Sequence, residues 1–217
     1  MSSQVKISVT SKLDGIKSWS LQALETCPGS IDNGQLVDAC RGCYATTGNY
    51  NYPNVKAPRA HNKQDWQRLE WADDMVQALQ DSRYFRWFDS GDVYSVALAE
   101  KILEVMQRTP WCQHWLPTRM HKFPKFRTVL TTMQSLDNVM VRFSSDSVTG
   151  QYIDGLHGSV IVPTSDDVTD SMKLCRAYEN AGKCSGCRAC WDKSVPLIAY
   201  AAHGVKMAKV IRILKAA

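Results

Sequence analysis

The sequence predicts an α/β fold, arranged as a (β/α) barrel or partial TIM-like barrel, with a cysteine-rich segment toward its C-terminal end. Three observations carry this. Short apolar strands alternate with helical periodicities, which favours a parallel sheet. Most of those strands end in polar residues (DSGD, PTRMH, SSDS, PTSDD), as they do where loops after strand C-termini build a single mouth. The 217 residues are 44% hydrophobic and 22% charged, enough to bury a proper core. A doubly wound open sheet is the competing layout.

The elements follow in order. The first candidate strand lies near WSLQALETC, residues 19–27, which leads into a loop rich in Gly, Asp and Asn. Trp66, Leu69, Met75, Val76 and Leu79 recur near helical spacing and predict a helix over 62–80, with Asn62 as its N-cap. YFRWFDSGD begins as an aromatic strand and stops at Ser90-Gly91. Val93, Val96, Leu98, Ile102, Val105 and Met106 give the clearest helix, over 93–108, with Pro110 beyond its end. A strand from 112, a helix over 125–136 and strands opening at 138 and 158 come next. A last strand over 196–204 and a basic helix over 205–217 close the chain. The expected organisation is one domain: a core over 18–174, a cysteine-rich segment over 175–191, and a closing strand and helix over 192–217.

Composition sets limits. The 26 basic and 21 acidic residues leave a net charge of +5, which permits a phosphate-rich partner without demanding one. No apolar run is long enough to cross a bilayer. The first residues lack an apolar segment and a small-residue cleavage site, so no signal peptide and no membrane partner are expected. The expected location is a reducing cytoplasm. There, eight cysteines are better explained as ligands or catalytic groups than as disulfides.

Seven of them fall into two groups. Cys27, Cys40 and Cys43 form C-x12-C-x2-C; Cys175, Cys184, Cys187 and Cys190 form C-x8-C-x2-C-x2-C; Cys112 stands alone. Structural zinc draws C-x2-C pairs from separate knuckles, and a third cysteine two residues on fits a tetrahedron awkwardly. A cubane iron–sulfur cluster spreads its irons, and C-x2-C-x2-C can wrap three of them. The spacing therefore favours a [4Fe-4S] cluster over zinc. Three plus four cysteines suggest two sites, one open at the N-terminal loop and one closed near the C-terminus. A single site shared by both ends of the chain is the alternative.

The motifs CPGS…CRGCYA, RAHN, FRWFDSGDVYS and C…KCSGCRACW, spread over roughly residues 18–205, resemble the phage family named gene product 88. That resemblance implies a phage origin, and hence the host-cell cytoplasm. More distantly, the order of motifs is similar to radical S-adenosylmethionine enzymes. Those have a partial (β/α) barrel, three cluster-binding cysteines after the first strand and a Gly-Gly-Glu-like motif after the second. The resemblance implies a [4Fe-4S] cluster on Cys27, Cys40 and Cys43. It also implies S-adenosylmethionine binding at Ser90, Gly91 and Asp92. The pattern departs in its C-x12-C spacing, in Ser-Gly-Asp standing for Gly-Gly-Glu, and in lacking a glycine-rich adenosine motif.

Other polar residues are candidates with plainer readings beside them. Asp89 and Asp92 flank a strand-to-helix turn that Ser90 or Asp92 could cap. Arg59, His61 and Asn62 could reach the first loop. Thr118, Arg119 and His121, and Ser144, Ser145 and Asp146, follow strands and could face the mouth or sit in solvated loops. His203 is a ligand, a base or a satisfied core residue. Three functions compete: a radical-SAM-like iron–sulfur enzyme acting on an unknown small-molecule or macromolecular substrate; a non-enzymatic iron–sulfur carrier, sensor or structural protein; and a zinc-stapled nucleic-acid-binding protein. The basic C-terminal helix supports the last, but no Arg/Lys-rich reading helix or aromatic-basic motif does.

Overall fold

Alternating side chains explain how the sheet forms. In a computed structural model, which describes residues 5–153 and 155–216, Trp19, Phe85, Trp87, Leu116, Val141 and Phe143 are buried in the largest apolar cluster. Their neighbours Ser18, Arg86, Trp115, Arg142 and Ser144 fall on the opposite face, as a period of two requires. The strands are β1 (Ser8–Val9), β2 (Lys17–Trp19), β3 (Ile31–Asp32), β4 (Gln35–Leu36), β5 (Tyr84–Trp87), β6 (Gln113–Thr118), β7 (Val139–Ser144), β8 (Gly158–Val162), β9 (Met172–Leu174) and β10 (Leu197–Ala201). The helices are α1 (Asp38–Arg41), α2 (Pro53–Asp65), α3 (Trp71–Ala78), α4 (Val96–Arg108), α5 (Arg127–Ser135) and α6 (Val205–Ala216).

Eight strands make one sheet in the order β1-β2-β5-β6-β7-β8-β10-β9, and β3 and β4 make a separate hairpin. Every pairing in the large sheet is parallel except that of β1 with β2. From β2 to β8 each new strand is laid on the same side of the last. A doubly wound sheet would reverse direction at a switch point; this one does not. With right-handed crossovers, a one-way march places the connecting helices on a single face, and α3, α4 and α5 pack side by side there. Strands β1 and β9 are the edges, and no ladder among the described residues joins them. The fold is thus mixed α/β with a mostly parallel sheet; closure into a barrel is not part of it as hydrogen-bonded.

The helix-side core is aromatic. Trp19 meets Trp71 edge-on at 5.4 Å, and Trp87 at 6.2 Å. Behind them, His114 is fully buried and accepts from Trp87 Nε1 on Nδ1 at 3.2 Å. Its Nε2 then donates to Thr109 Oγ1 at 2.8 Å, and that hydroxyl donates to the Val105 carbonyl. The ring is held neutral, its pKa lowered to about 3 by burial.

The expectation of one helix over 62–80 is corrected. Two helices occupy this region, and α2 begins at Pro53, so Asn62 is no N-cap. It lies buried inside α2, donating to the carbonyls of Lys6 and Ser20 at 3.0 Å. The polar run 53–61 gives almost no apolar stripe to announce a helix. The last strand does not close the sheet from its edge, because β10 sits between β8 and β9. The short β9 and the β3–β4 hairpin carry no clear periodicity and were not expected.

Candidate metal centre and its cavity

The first cysteine group is assembled by a hairpin. Asn33 and Gly34, both with positive φ (47° and 77°), turn β3 into β4, as Asn-Gly does in two-residue hairpins. The excursion returns the chain to its start, and Val37 N donates to the Ser30 carbonyl at 2.9 Å. Twelve intervening residues therefore act as a short loop: Cys27 precedes the hairpin, Cys40 lies in α1, and Cys43 follows Gly42. A Cβ on Gly42 would lie 2.7 Å from Met207 Cε and 2.9 Å from its Cα, so glycine lets α6 clamp the loop. Burial, then Asp92 and the neighbouring Cys40 and Cys43, pushes the Cys27 thiol up to about 12. Burial raises Cys40 as well, against the lowering effect of Arg119.

Cys27, Cys40 and Cys43 line a cavity of about 590 Å³ on the sheet face opposite α3, α4 and α5. Ser90, Gly91 and Asp92 line it too. Their side chains are already engaged. Ser90 donates to the Leu21 carbonyl at 2.7 Å and accepts from Arg59 Nε at 2.5 Å. Asp92 is buried; it accepts from Val93 N and Thr118 Oγ1 at 2.7 Å, and from Arg119 N at 2.9 Å. It ties the loop after β5 to the end of β6 and does not cap α4. Burial raises its pKa against those hydrogen bonds. Gly91 has a φ of +79°, and a Cβ there would lie 2.6 Å from Leu21 Cβ.

The second group is built from the other end of the chain. Arg142 is fully buried on the inner face of β7. Its guanidinium donates to the carbonyls of Cys190 (2.9 Å), Ala189 (2.8 Å), Asp192 (2.9 Å), Pro196 (3.3 Å) and Gly158 (3.4 Å). Burial lowers its pKa. Asp14, in a left-handed turn, accepts from Ser185 N and Gly186 N and pairs with Arg188 at 2.9 Å. Cys184 N donates to the Lys12 carbonyl. Cys175, Cys184, Cys187 and Cys190 all line a second cavity of about 540 Å³, and all but Cys187 also border the first. Burial pushes the Cys190 thiol up to about 11.

Other expected residues divide. Thr118, Arg119, Ser144, Ser145 and His203 line the first cavity. Asp146 pairs with Arg119 at 3.2 Å and Lys122 at 2.5 Å. His121 stacks on Phe143 at 4.6 Å, and Cys112 is buried in the helix-side core. Residues not singled out from sequence also form the wall: Tyr44, Tyr50, Arg86, Trp115 and Tyr200. Arg86 and Arg142 did carry a signal, since each is a cation in the middle of an apolar strand (YFRWF, VMVRF).

Among the described residues, no three His, Cys, Asp or Glu side chains converge on one metal-ion position. A tetrahedral zinc with Zn–S of about 2.3 Å needs sulfurs about 3.8 Å apart. A cluster distributes its thiolates over separate irons and asks for wider spacing.

These features define a class: a mostly parallel α/β protein with two cysteine groups on one sheet face and a cavity between them. The chain belongs to the family described as Gene product 88, whose profile matches residues 3–212. No curated protein matches it, and no solved structure does. The wider similarity to radical S-adenosylmethionine enzymes finds no counterpart among these comparisons. No described helix is long and apolar enough to cross a membrane.

Proposed function

We propose that this chain is an iron–sulfur protein with two cluster sites. Cys175, Cys184, Cys187 and Cys190 would hold one [4Fe-4S] cluster with all four thiolates. Cys27, Cys40 and Cys43, which line the larger cavity, would hold another with three thiolates, leaving one iron without a cysteine ligand from that group. The observation that carries this is how the seven cysteines divide: Cys27, Cys40 and Cys43 line only the larger cavity, whereas Cys175, Cys184, Cys187 and Cys190 come together around the smaller one, three of them also bordering the larger. Buried Arg142, which opposes the burial that raises the Cys190 thiol, suits an anionic thiolate cluster there.

A three-thiolate cluster beside a cavity of ligand size fits an enzyme of radical-SAM-like type, with an open, barrel-like sheet as scaffold. Such a group supplies one-electron chemistry when bound; the chain holds it, orients a ligand and shields both from water. S-adenosylmethionine is the weaker part of the reading, because Ser90 and Asp92 spend their polar atoms on the protein itself. A non-enzymatic carrier is the alternative for the same ligand set.

Anaerobic purification followed by iron, sulfide and zinc analysis tests this. The expected protein is brown, with iron and sulfide in similar amounts. A colourless protein with stoichiometric zinc would overturn the reading.

A further inference from the structure

Six buried side-chain polar atoms of the described residues lack a partner. Trp19, Trp71, Ser82 and His121 lie away from the large cavity; Arg86 Nε and Trp115 Nε1 belong to residues that line it. Arg86 is 9% exposed and Trp115 5%. The two are neighbours in register, and the guanidinium lies over the indole at 4.6 Å. Both atoms are donors. Leaving a donor buried and unmet costs more than a normal hydrogen bond returns, so each calls for an acceptor.

The surrounding charge has the same sign. Arg86 pairs with Asp89 at 2.8 Å and Arg59 approaches the same carboxylate at 3.8 Å. Tyr50 donates to Asp89 Oδ2 at 2.5 Å, so that carboxylate is already shared three ways. Burial holds the Tyr44 and Tyr50 phenols above their ordinary pKa, so neither adds negative charge at neutral pH. At Asp89, two enclosed guanidiniums face one carboxylate, next to two unmet N–H donors.

We propose that the cavity binds an oxyanion, a carboxylate or phosphate group of a small ligand, on Arg86 Nε and Trp115 Nε1. The aromatic walls of Tyr44, Tyr50 and Trp115 would flank the body of the ligand. This deepens the reading of the same cavity as a ligand site, but it stands on Arg86 and Trp115 and does not require either cluster.

The test titrates the full chain, as purified, with inorganic phosphate and with benzoate by calorimetry, with iron measured on the same sample. One probe is expected to bind saturably at one site, and which one does so separates phosphate from carboxylate. Trp115→Phe keeps an aromatic ring, though a smaller one, and removes the N–H; it should weaken binding about fivefold. Arg86→Lys keeps a charge and removes Nε; it should weaken binding about thirtyfold. The Trp115 indole N–H resonance, identified by its loss in Trp115→Phe, should shift as the ligand is added. If Arg86→Lys does not fold, that resonance decides alone. Absence of saturable binding by both probes, or unchanged affinity in Trp115→Phe, would overturn the inference. Either result obtained with iron retained would leave the cluster reading standing.

Discussion

The two cysteine groups share one sheet face but are held by opposite means. The N-terminal three sit on a hairpin-shortened loop wedged by α6, and their support is close packing at Gly42 and Gly91. The C-terminal four sit in a loop with little regular structure, and their support is polar: Arg142 on five carbonyls, Asp14 on two amides. Steric errors should therefore damage the first group and charge changes the second. The difference also fits their proposed roles. A site that opens on a cavity needs a rigid rim, whereas a closed site can be wrapped by an adaptable loop.

The largest expected effect is on the polar side. Arg142→Met would remove the guanidinium from five carbonyls, of which those of Ala189, Asp192 and Pro196 keep a backbone donor, and should cost about 3–5 kcal/mol in urea unfolding. Iron should be lost from the C-terminal group first. On the packed side, Gly91→Ala combines a left-handed backbone with a 2.6 Å overlap and should cost roughly 2–4 kcal/mol. Its signature would be loss of the N-terminal site with the C-terminal site retained.

Proton linkage sharpens the comparison further. The Cys27 thiol titrates near 12 in the folded metal-free chain, against an ordinary 9.0. Above pH 9 the unfolded chain gives up this proton and the folded chain does not. Cys27 should thus contribute a loss of about 1.4 kcal/mol per pH unit from pH 9 up to about 12, alongside the other buried thiols, Cys112 and Cys190 among them. Cys27→Ala should make the slope shallower by that amount in chemical denaturation of apo protein. The same protonation means that iron must displace protons, so iron uptake should strengthen as pH rises. The smallest effect is expected for Asp14→Asn, whose carboxylate is at the surface. Global stability should hardly move, while the C-terminal cluster should be lost more readily to a chelator.

The sequence made the strands and long helices legible where periodicity was strong. The expected helix over 93–108 became α4 (Val96–Arg108), and the basic tail became α6 (Val205–Ala216). It failed at Pro53–Asp65, whose helix lacks an apolar face, and at the three residues of β9, too short for any period to show. The parallel sheet was readable from alternation; its one-way strand order was not, because order depends on crossovers that leave no local trace. The cysteines were readable as two groups. The inner wall was not, because Arg86, Trp115 and Tyr44 meet only once β5, β6 and the first loop are brought together. The strand arginines were the one available hint: a buried cation in an apolar strand has to face something polar.

The most direct measurement is the iron count, with Mössbauer and EPR spectra, of two triple variants purified without oxygen. One changes Cys27, Cys40 and Cys43 to serine, the other Cys184, Cys187 and Cys190. Two sites predict that each variant loses about half of the parent's iron, from about eight to about four per chain for two cubanes. Each should also keep the cluster spectrum that the other lacks. Loss of all iron from either variant alone would mean one shared site and would contradict the account.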